Sequence, residues 1–186
     1  YERWLDVKKD ETVEKNGSDL YLDTQVYLSL VRASDNAVKE LVETYKESDE
    51  PTMIIFFGDH QPGLPSPAVN ELYTDMDSYL DMFKSKFFIW TNYDSPEEHD
   101  VEISANYLSL LILRQGGFGY NPYFRMLEEV HGKYPVITSQ GVIDSEGKEY
   151  LGVAELEDDP LIRKYRNIQY ANLHGDMDPA WFEVKE

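Results

Sequence analysis

Hydrophobic residues between positions 19 and 48 recur every three or four residues. They are Leu22, Val26, Leu30, Val31, Ala37, Val38, Leu41, Val42 and Tyr45. This spacing places them on one face of a helix. The segment "SDEP", which ends in Pro51, predicts the end of that helix, because proline cannot continue it.

Two apolar runs follow, "TMIIFF" at residues 52–57 and "KFFIWTNY" at residues 86–93. Both are continuous rather than alternating, which is typical of strands buried on both faces of a parallel sheet. Between them lie a Pro- and Gly-rich loop and the segment 68–84, which predicts one or two short helices. We therefore predict an α/β fold in which helices cover a mostly parallel sheet, with the two strands side by side.

The second half of the chain predicts three more helices and a hairpin. The helices span residues 103–117, 121–135 and 158–176, and the hairpin turns around Asp144 to Gly147. Ser104 is the predicted N-cap of the first helix and Pro122 suits the first turn of the second.

Composition favours one compact domain. The chain has 186 residues, of which 41% are hydrophobic and 13% aromatic, enough to bury a sizeable core. Residues 1–18 are polar and are predicted to form a loosely attached segment, which leaves residues 19–186 as the domain. The chain has neither an initiating methionine, nor a leader, nor an apolar run of about 18 residues. We expect a soluble piece of a longer protein.

Charge and cysteine content narrow the function. Seventeen basic against 36 acidic residues give a net charge of −19, which argues against binding to nucleic acid or to an anionic membrane surface. The basic run "RKYR" at residues 163–166 is expected to pair with the acidic run "ELEDD" at residues 155–159. The absence of cysteine excludes disulfides and thiolate metal sites.

The first apolar run leads directly into Gly-Asp-His. Ligand sites of layered α/β folds lie beyond strand ends, and a carboxylate and an imidazole together suit Mn²⁺ or Zn²⁺ better than Ca²⁺. Asp59 and His60 are therefore candidate metal ligands. The alternative is that Asp59 caps the loop while His60 packs against Pro62. The other histidines, His99, His131 and His174, are scattered singly and complete no ligand motif.

No nucleophile motif is present in the chain. Gly-x-Ser-x-Gly, Ser-x-x-Lys and the phosphate-binding Gly-x-x-x-x-Gly-Lys are all missing. The glycine-rich "RQGGFGY" at residues 114–120 follows a helix, so a helix stop is favoured over a phosphate loop. The aromatic residues of "FFIWTNY" and "NPYF" could line a sugar pocket, but a core position is favoured for them.

An ordered series of blocks resembles a known family. In chain order they are "YLSLVRASDNAVKELVETY", "PTMIIFFGDHQP", "KFFIWTNYD", "ISANYLSLLIL" and "NPYFRMLEEVHGKYPVIT". From about residue 20 to residue 173 the chain resembles the carboxyl-terminal part of lipoteichoic acid synthase-like proteins. These are phosphoglycerol transferases of the sulfatase and alkaline phosphatase superfamily. The resemblance implies the carboxyl-terminal part of a sulfatase-like fold.

The resemblance also implies a metal site. Its Gly-Asp-His block holds two ligands of the catalytic divalent cation, usually Mn²⁺, and these match Asp59 and His60. The family's membrane helices, further carboxylate ligand, threonine nucleophile and substrate-contacting arginine and histidine have no counterpart here. This implies an inactive carboxyl-terminal fragment carrying part of a metal site, and it leaves the substrate-binding residues unassigned.

For the parent enzyme, the resemblance implies a position on the extracytoplasmic face of a bacterial membrane, held there by upstream helices. A threonine alkoxide would attack the phosphorus of a lipid head group, and the phosphoglyceryl group would pass to a glycerol acceptor. A sulfatase or phosphodiesterase of the same superfamily, both hydrolases, and a non-catalytic α/β interaction domain remain as alternatives. An unpaired sheet edge would also allow the fragment to form a homodimer.

Overall fold

The computed structural model describes residues 20–63 and 79–184, with only the backbone described for residues 20–25. The chain divides into two compact units, Tyr1–Asp94 and Ser95–Glu186, where composition favoured one compact domain. The division falls at the acidic, proline-containing segment 94–100. The predicted boundary at residue 18 lies outside the described residues and stays a prediction.

The first unit contains one long helix and a strand pair. Helix α1 spans Leu20–Lys46, strand β1 spans Met53–Phe57 and strand β2 spans Phe87–Thr91. A short 3₁₀ helix at Tyr79–Phe83 precedes β2, and the rest of the predicted helical segment before it lies outside the described residues. The long helix and both strands are confirmed.

The direction of strand pairing differs from the prediction. Strands β1 and β2 are antiparallel, with Met53 opposite Thr91 and Phe57 opposite Phe87. The expectation of a mostly parallel sheet is wrong for every strand pair in the described ranges. A continuous apolar run indicates burial, but it carries no information on the direction of its neighbour. The two-face burial is also not seen within this chain, since Phe56 and Phe57 are exposed.

The side chain of Asn92 joins the elements of the first unit. Its Nδ2 lies 3.0, 3.1 and 2.9 Å from the carbonyl oxygens of Tyr45, Ser48 and Glu50. Its Oδ1 accepts a hydrogen bond from the backbone N–H of Thr52 at 2.7 Å. One amide group therefore satisfies backbone groups at the end of α1, in the following turn and at Thr52, directly before β1.

The second unit contains three helices and a small sheet. The helices are α2 (Leu108–Gln115), α3 (Pro122–Lys133) and α4 (Pro160–His174). Strands β3 (Val136–Ile137), β4 (Val142–Ile143) and β5 (Glu149–Tyr150) form an antiparallel sheet in that order. Helices beside short sheets confirm the predicted α/β class.

Two helices of the second unit begin at a side-chain cap that was not predicted. Asn121 caps α3 by accepting from Phe124 N at 2.9 Å, and Asp159 caps α4. Pro122 lies in the first turn of α3 as predicted, but Ser104, the predicted cap, precedes a 3₁₀ turn and makes no side-chain capping bond. It is buried, and its hydroxyl instead accepts from Ile137 N at 2.9 Å, so tertiary contact replaces capping.

The predicted hairpin is confirmed. The carboxylate of Asp144 accepts from the backbone N–H of Glu146 and Lys148 at 3.0 and 2.9 Å, and from the Tyr150 hydroxyl at 2.9 Å. The bond from Lys148 contributes most to lowering the pKa of this carboxyl. Gly147 takes a φ of 82°, the left-handed conformation that favours glycine.

The core of the second unit lies between its helices and its sheet. One buried cluster comprises Tyr107, Met126, Leu127, Val130, Tyr165 and Ile168, and the other comprises Tyr134, Val142, Leu156 and Ile162. The hydroxyl of Tyr107, fully buried, donates to the carbonyl oxygen of Tyr134 at 2.8 Å and links the two clusters. Burial raises the pKa of this hydroxyl well above its usual range.

The first unit exposes many large apolar side chains. They include Leu28, Leu30, Val31, Leu41, Tyr45, Phe56, Phe57, Tyr79, Met82, Phe83 and Phe88. Among its described residues only Leu80 belongs to the buried hydrophobic set. An apolar surface of this extent is typical of an interaction face. None of the helices in the described ranges is both long and apolar enough to cross a membrane.

Candidate metal centre

Gly58 holds the end of β1 against the segment before β2. Its N–H donates to the carbonyl oxygen of Lys86 at 2.9 Å, and its own carbonyl accepts from Ser85 Oγ at 2.6 Å. A Cβ at position 58 would lie 3.2 Å from Ser85 Cβ, a tight contact. Glycine therefore permits this close approach, and the next two residues leave the sheet.

Those two residues, Asp59 and His60, point their polar atoms at one another. The backbone N–H of His60 donates to Asp59 Oδ1 at 2.9 Å, and His60 Nε2 lies 3.5 Å from Asp59 Oδ2. His60 Nδ1 lies 2.8 Å from the carbonyl oxygen of Gln61. Because a carbonyl can only accept, Nδ1 carries the proton in the neutral ring, and Nε2 keeps its lone pair.

This arrangement fits a metal-binding pair. Two ligand atoms bound at about 2.1 Å to one ion lie roughly 3.0 to 3.5 Å apart for bond angles of about 90 to 110°. The 3.5 Å between Asp59 Oδ2 and His60 Nε2 falls at the upper end of that range. A histidine ligand also commonly donates its other ring N–H to a backbone carbonyl, as Nδ1 does to Gln61.

The alternative role, a loop cap with no metal, explains Asp59 but not His60. Asp59 does accept a local backbone N–H, as a loop-capping residue would. The His60 side chain, however, is 76% exposed, so packing against Pro62 does not explain it. The pair is accessible from solvent and is free to take further ligands.

The loop that carries the pair is held by the residues before β2. Gln61 Nε2 donates to the carbonyl oxygen of Lys84, and Lys84 Nζ pairs with Asp81 Oδ1 at 2.6 Å. Sequence reasoning missed this support because parallel strands would have placed the end of β2 here. In an antiparallel pair the start of the second strand faces the end of the first.

The described residues contain no complete metal site. Across residues 20–63 and 79–184, no three side chains of the ligand types come together. His99 lies near Glu97, His131 packs edge-on against Tyr107, and His174 stacks on Tyr170.

The surroundings of His131 lower the pKa of its ring. His131 lies in the last turn of α3, where burial and then the Arg114 charge lower this pKa. The neutral form is therefore favoured, because both effects disfavour the imidazolium.

A family model described as "Sulfatase" matches residues 5–117 of the chain. A "Putative cyclic beta-1,2-glucan modification protein" of Rhizobium meliloti (strain 1021) is 28% identical over 180 residues, covering 88% of this chain and 28% of that protein. The Streptococcus pyogenes phosphoglycerol transferase GacH, solved in complex with sn-glycerol-1-phosphate, superposes with a TM-score of 0.61 at 18% identity. That match covers 92% of this chain and 41% of GacH, and it confirms the sulfatase-like fold. The chain thus spans less than a third of the curated relative.

Proposed function

The chain belongs to the sulfatase family, and from this premise we propose that it is the carboxyl-terminal part of a longer metal-dependent transferase. The enzyme moves phosphoglycerol, or a related phosphate group, onto a cell-envelope polymer or lipid. One observation carries the proposal: Asp59 Oδ2 and His60 Nε2 lie 3.5 Å apart at a strand end, with Nδ1 directed to a backbone carbonyl.

The substrate classes come from the related proteins. GacH is a phosphoglycerol transferase bound to sn-glycerol-1-phosphate, which supports a glycerol-phosphate head group as donor. The Rhizobium meliloti relative is named for modification of a cyclic β-1,2-glucan, which supports a polysaccharide acceptor. Both kinds of substrate belong to the cell envelope, so we place the longer enzyme at the extracytoplasmic face of the membrane, anchored by helices outside this chain.

The proposed ion is Mn²⁺, held here by Asp59 Oδ2 and His60 Nε2. When bound, such an ion polarises a phosphoryl oxygen and lowers the pKa of a nucleophilic hydroxyl. The residues of this chain hold the ion and orient its ligands. The Gln61 carbonyl fixes the His60 tautomer, and the backbone N–H of His60 fixes one oxygen of Asp59. The remaining ligands and the nucleophile are contributed by the rest of the enzyme.

The apolar surface of the first unit supports the view that this unit packs against more of the same domain. With that surface uncovered, the isolated chain is expected to self-associate and to show no turnover. Light scattering on the purified chain, with a donor lipid assay alongside, checks both expectations. A monodisperse monomer contradicts the first, and EDTA-sensitive turnover contradicts the second.

The decisive experiment uses the longer enzyme with Asp59→Ala and His60→Ala, each assayed for bound metal and for phosphoglycerol transfer. Loss of one ligand should cut activity by at least about a hundredfold, since both binding and polarisation depend on it. Asp94→Ala and His99→Ala are matched controls, because both residues are exposed and neither belongs to the pair. Retained metal and activity in both test variants would refute the proposal.

A second candidate is a sulfatase, which the description of the matching family model favours. The two functions differ in the group transferred, so the same preparation is offered an aryl sulfate and a phosphatidylglycerol-type lipid. Release of sulfate without transfer of phosphoglycerol would select the sulfatase.

A further inference from the structure

A groove lies on the second unit beside the end of α2. It consists of two adjoining cavities of about 520 and 370 Å³, which share Tyr120 and Arg125 in their walls. Both cavities are shallow and open to solvent, so the feature is a surface groove rather than an enclosed pocket. We call this feature the Tyr120–Arg125 groove. It lies wholly in the second unit, whereas Asp59 and His60 belong to the first.

The glycine-rich segment 114–120 builds one wall of the groove. Helix α2 ends at Gln115, and Gly117, at a φ of 68°, turns the chain, while Phe118 N donates back to the Leu113 carbonyl at 2.9 Å. This is the helix stop that the sequence predicted. A Cβ at Gly116 would collide with the Phe118 ring, so glycine there lets the ring occupy its position.

Aromatic rings lie along the groove. Phe118 and Tyr120 line the first cavity, and Tyr120 and Trp181 line the second. Phe118 is 63% exposed, although a buried position would stabilise the protein more. The face of an aromatic ring carries partial negative charge, which attracts positively polarised C–H groups such as those on a sugar ring.

Charged side chains of both signs line the groove. The positive ones are Arg114, Arg125 and Lys164, and the negative ones are Glu128 and Glu129. Glu98, which does not line either cavity, pairs with Arg114 at 2.7 Å, and Lys164 pairs with Glu129 at 3.5 Å. With these two ion pairs formed, Arg125 and Glu128 remain, so the groove has little net charge to attract a free anion or cation.

We propose that the Tyr120–Arg125 groove binds a neutral saccharide. Hydroxyl groups both donate and accept, so one sugar can satisfy arginine and glutamate side chains together. An anion would meet the glutamates, and a purely apolar ligand would leave the charges unpaired. In an enzyme that modifies a glucan, this groove would hold the acceptor chain, but binding of the sugar does not rest on the transferase activity.

The test uses the purified chain and a panel of neutral oligosaccharides: β-1,2-, β-1,3- and α-1,4-linked glucose oligomers. Saturation-transfer NMR at millimolar sugar detects weak binding and reports which sugar protons contact the protein. Transfer to ring C–H protons is expected for at least one oligomer. Phe118→Ala and Arg125→Gln should each weaken binding about two- to tenfold, the range for loss of one aromatic contact or one hydrogen bond.

Tyr170→Ala is the matched control. Tyr170 is also 63% exposed and lies in the same unit, but it takes no part in the groove. Binding that is weakened in both groove variants and unchanged in the control supports the proposal. No binding of any oligomer, equal binding by Phe118→Ala and wild type, or displacement of the sugar by inorganic phosphate would each overturn it.

Discussion

Asp159 is the residue whose substitution best tests the architecture of the second unit. Its Oδ1 accepts from the backbone N–H of Leu161 and Ile162 at 2.8 and 3.2 Å, which caps α4. Its Oδ2 accepts from the Tyr134 hydroxyl at 2.8 Å and pairs with Lys133. The side chain is only 13% exposed, so one carboxylate joins α3, the segment after it and α4.

The size of the effect follows from the pKa of this carboxyl. Burial raises the pKa of Asp159, but the hydrogen bonds from Lys133, Tyr134 and the two backbone N–H groups outweigh it and lower the pKa from 3.8 to about 2. At about 1.36 kcal/mol per pH unit, that difference corresponds to about 2.4 kcal/mol. Solvent screening of the half-exposed Lys133 ammonium reduces it to about 1 to 2 kcal/mol.

Two substitutions separate charge from hydrogen bonding. Asp159→Asn keeps an acceptor for the cap and for Tyr134, so it should lower the free energy of unfolding by about 1 to 2 kcal/mol. Asp159→Ala also removes the cap and leaves the buried Tyr134 hydroxyl unpaired, for a total of about 3 to 4 kcal/mol. Urea unfolding followed by circular dichroism measures both.

The dependence on pH has a definite sign. The folded pKa lies below the unfolded one, so the charge stabilises the fold fully above pH 3.8, and this contribution is lost as pH falls towards about 2. The difference in unfolding free energy between wild type and Asp159→Asn should therefore become smaller as the pH falls from about 4 to 2. Asp158→Asn is the control, since Asp158 is the adjacent exposed acid. This account would be refuted if Asp159→Asn changed the unfolding free energy no more than Asp158→Asn does, or if its effect stayed constant down to about pH 2.

The remaining predictions concern glycines. Gly58→Ala brings Cβ to 3.2 Å from Ser85 Cβ, so it should destabilise the first unit by about 1 kcal/mol, whereas Gly63→Ala, with open space around its Cβ, should not. Amide hydrogen exchange of β1 measures this, and equal exchange in the two variants would contradict it. Gly132→Ala, inside α3, should raise the free energy of unfolding by about 0.5 to 1 kcal/mol, and Gly147→Ala, at a φ of 82°, should lower it by about 1 to 2 kcal/mol. Urea unfolding compares them, and shifts in the same direction would be inconsistent with this backbone geometry.

Local signals in the sequence predict a helix start correctly where residues adjacent in the chain determine it. Pro122 lies in the first turn of α3 as predicted, and the caps Asn121 and Asp159 each stand directly before a proline in the sequence. Ser104 carries the same kind of signal, but its hydroxyl is committed to Ile137 N, a partner 33 residues away. Capping chemistry is visible in the sequence, whereas competition from a distant strand is not.

The candidate metal pair was visible from sequence, but its surroundings were not. Asp59 and His60 follow an apolar run, which is a local pattern. The support from Lys84 and Ser85 depends on strand direction, and hydrophobicity does not encode that direction. The groove was missed for a similar reason, since its walls combine a helix stop with side chains from two other helices.

The hydrogen bonds of Asn92 couple the opening of the α1 end to the opening of β1. Because one side chain holds the last turn of α1, the turn after it and Thr52, directly before β1, opening of any one of these is expected to release the others. Their amides should exchange with solvent as a single group, and Asn92→Ala should split that group into independently fraying pieces. Asn92 is thus expected to couple local unfolding of the helix end to local unfolding of the strand that leads to the Asp59–His60 pair.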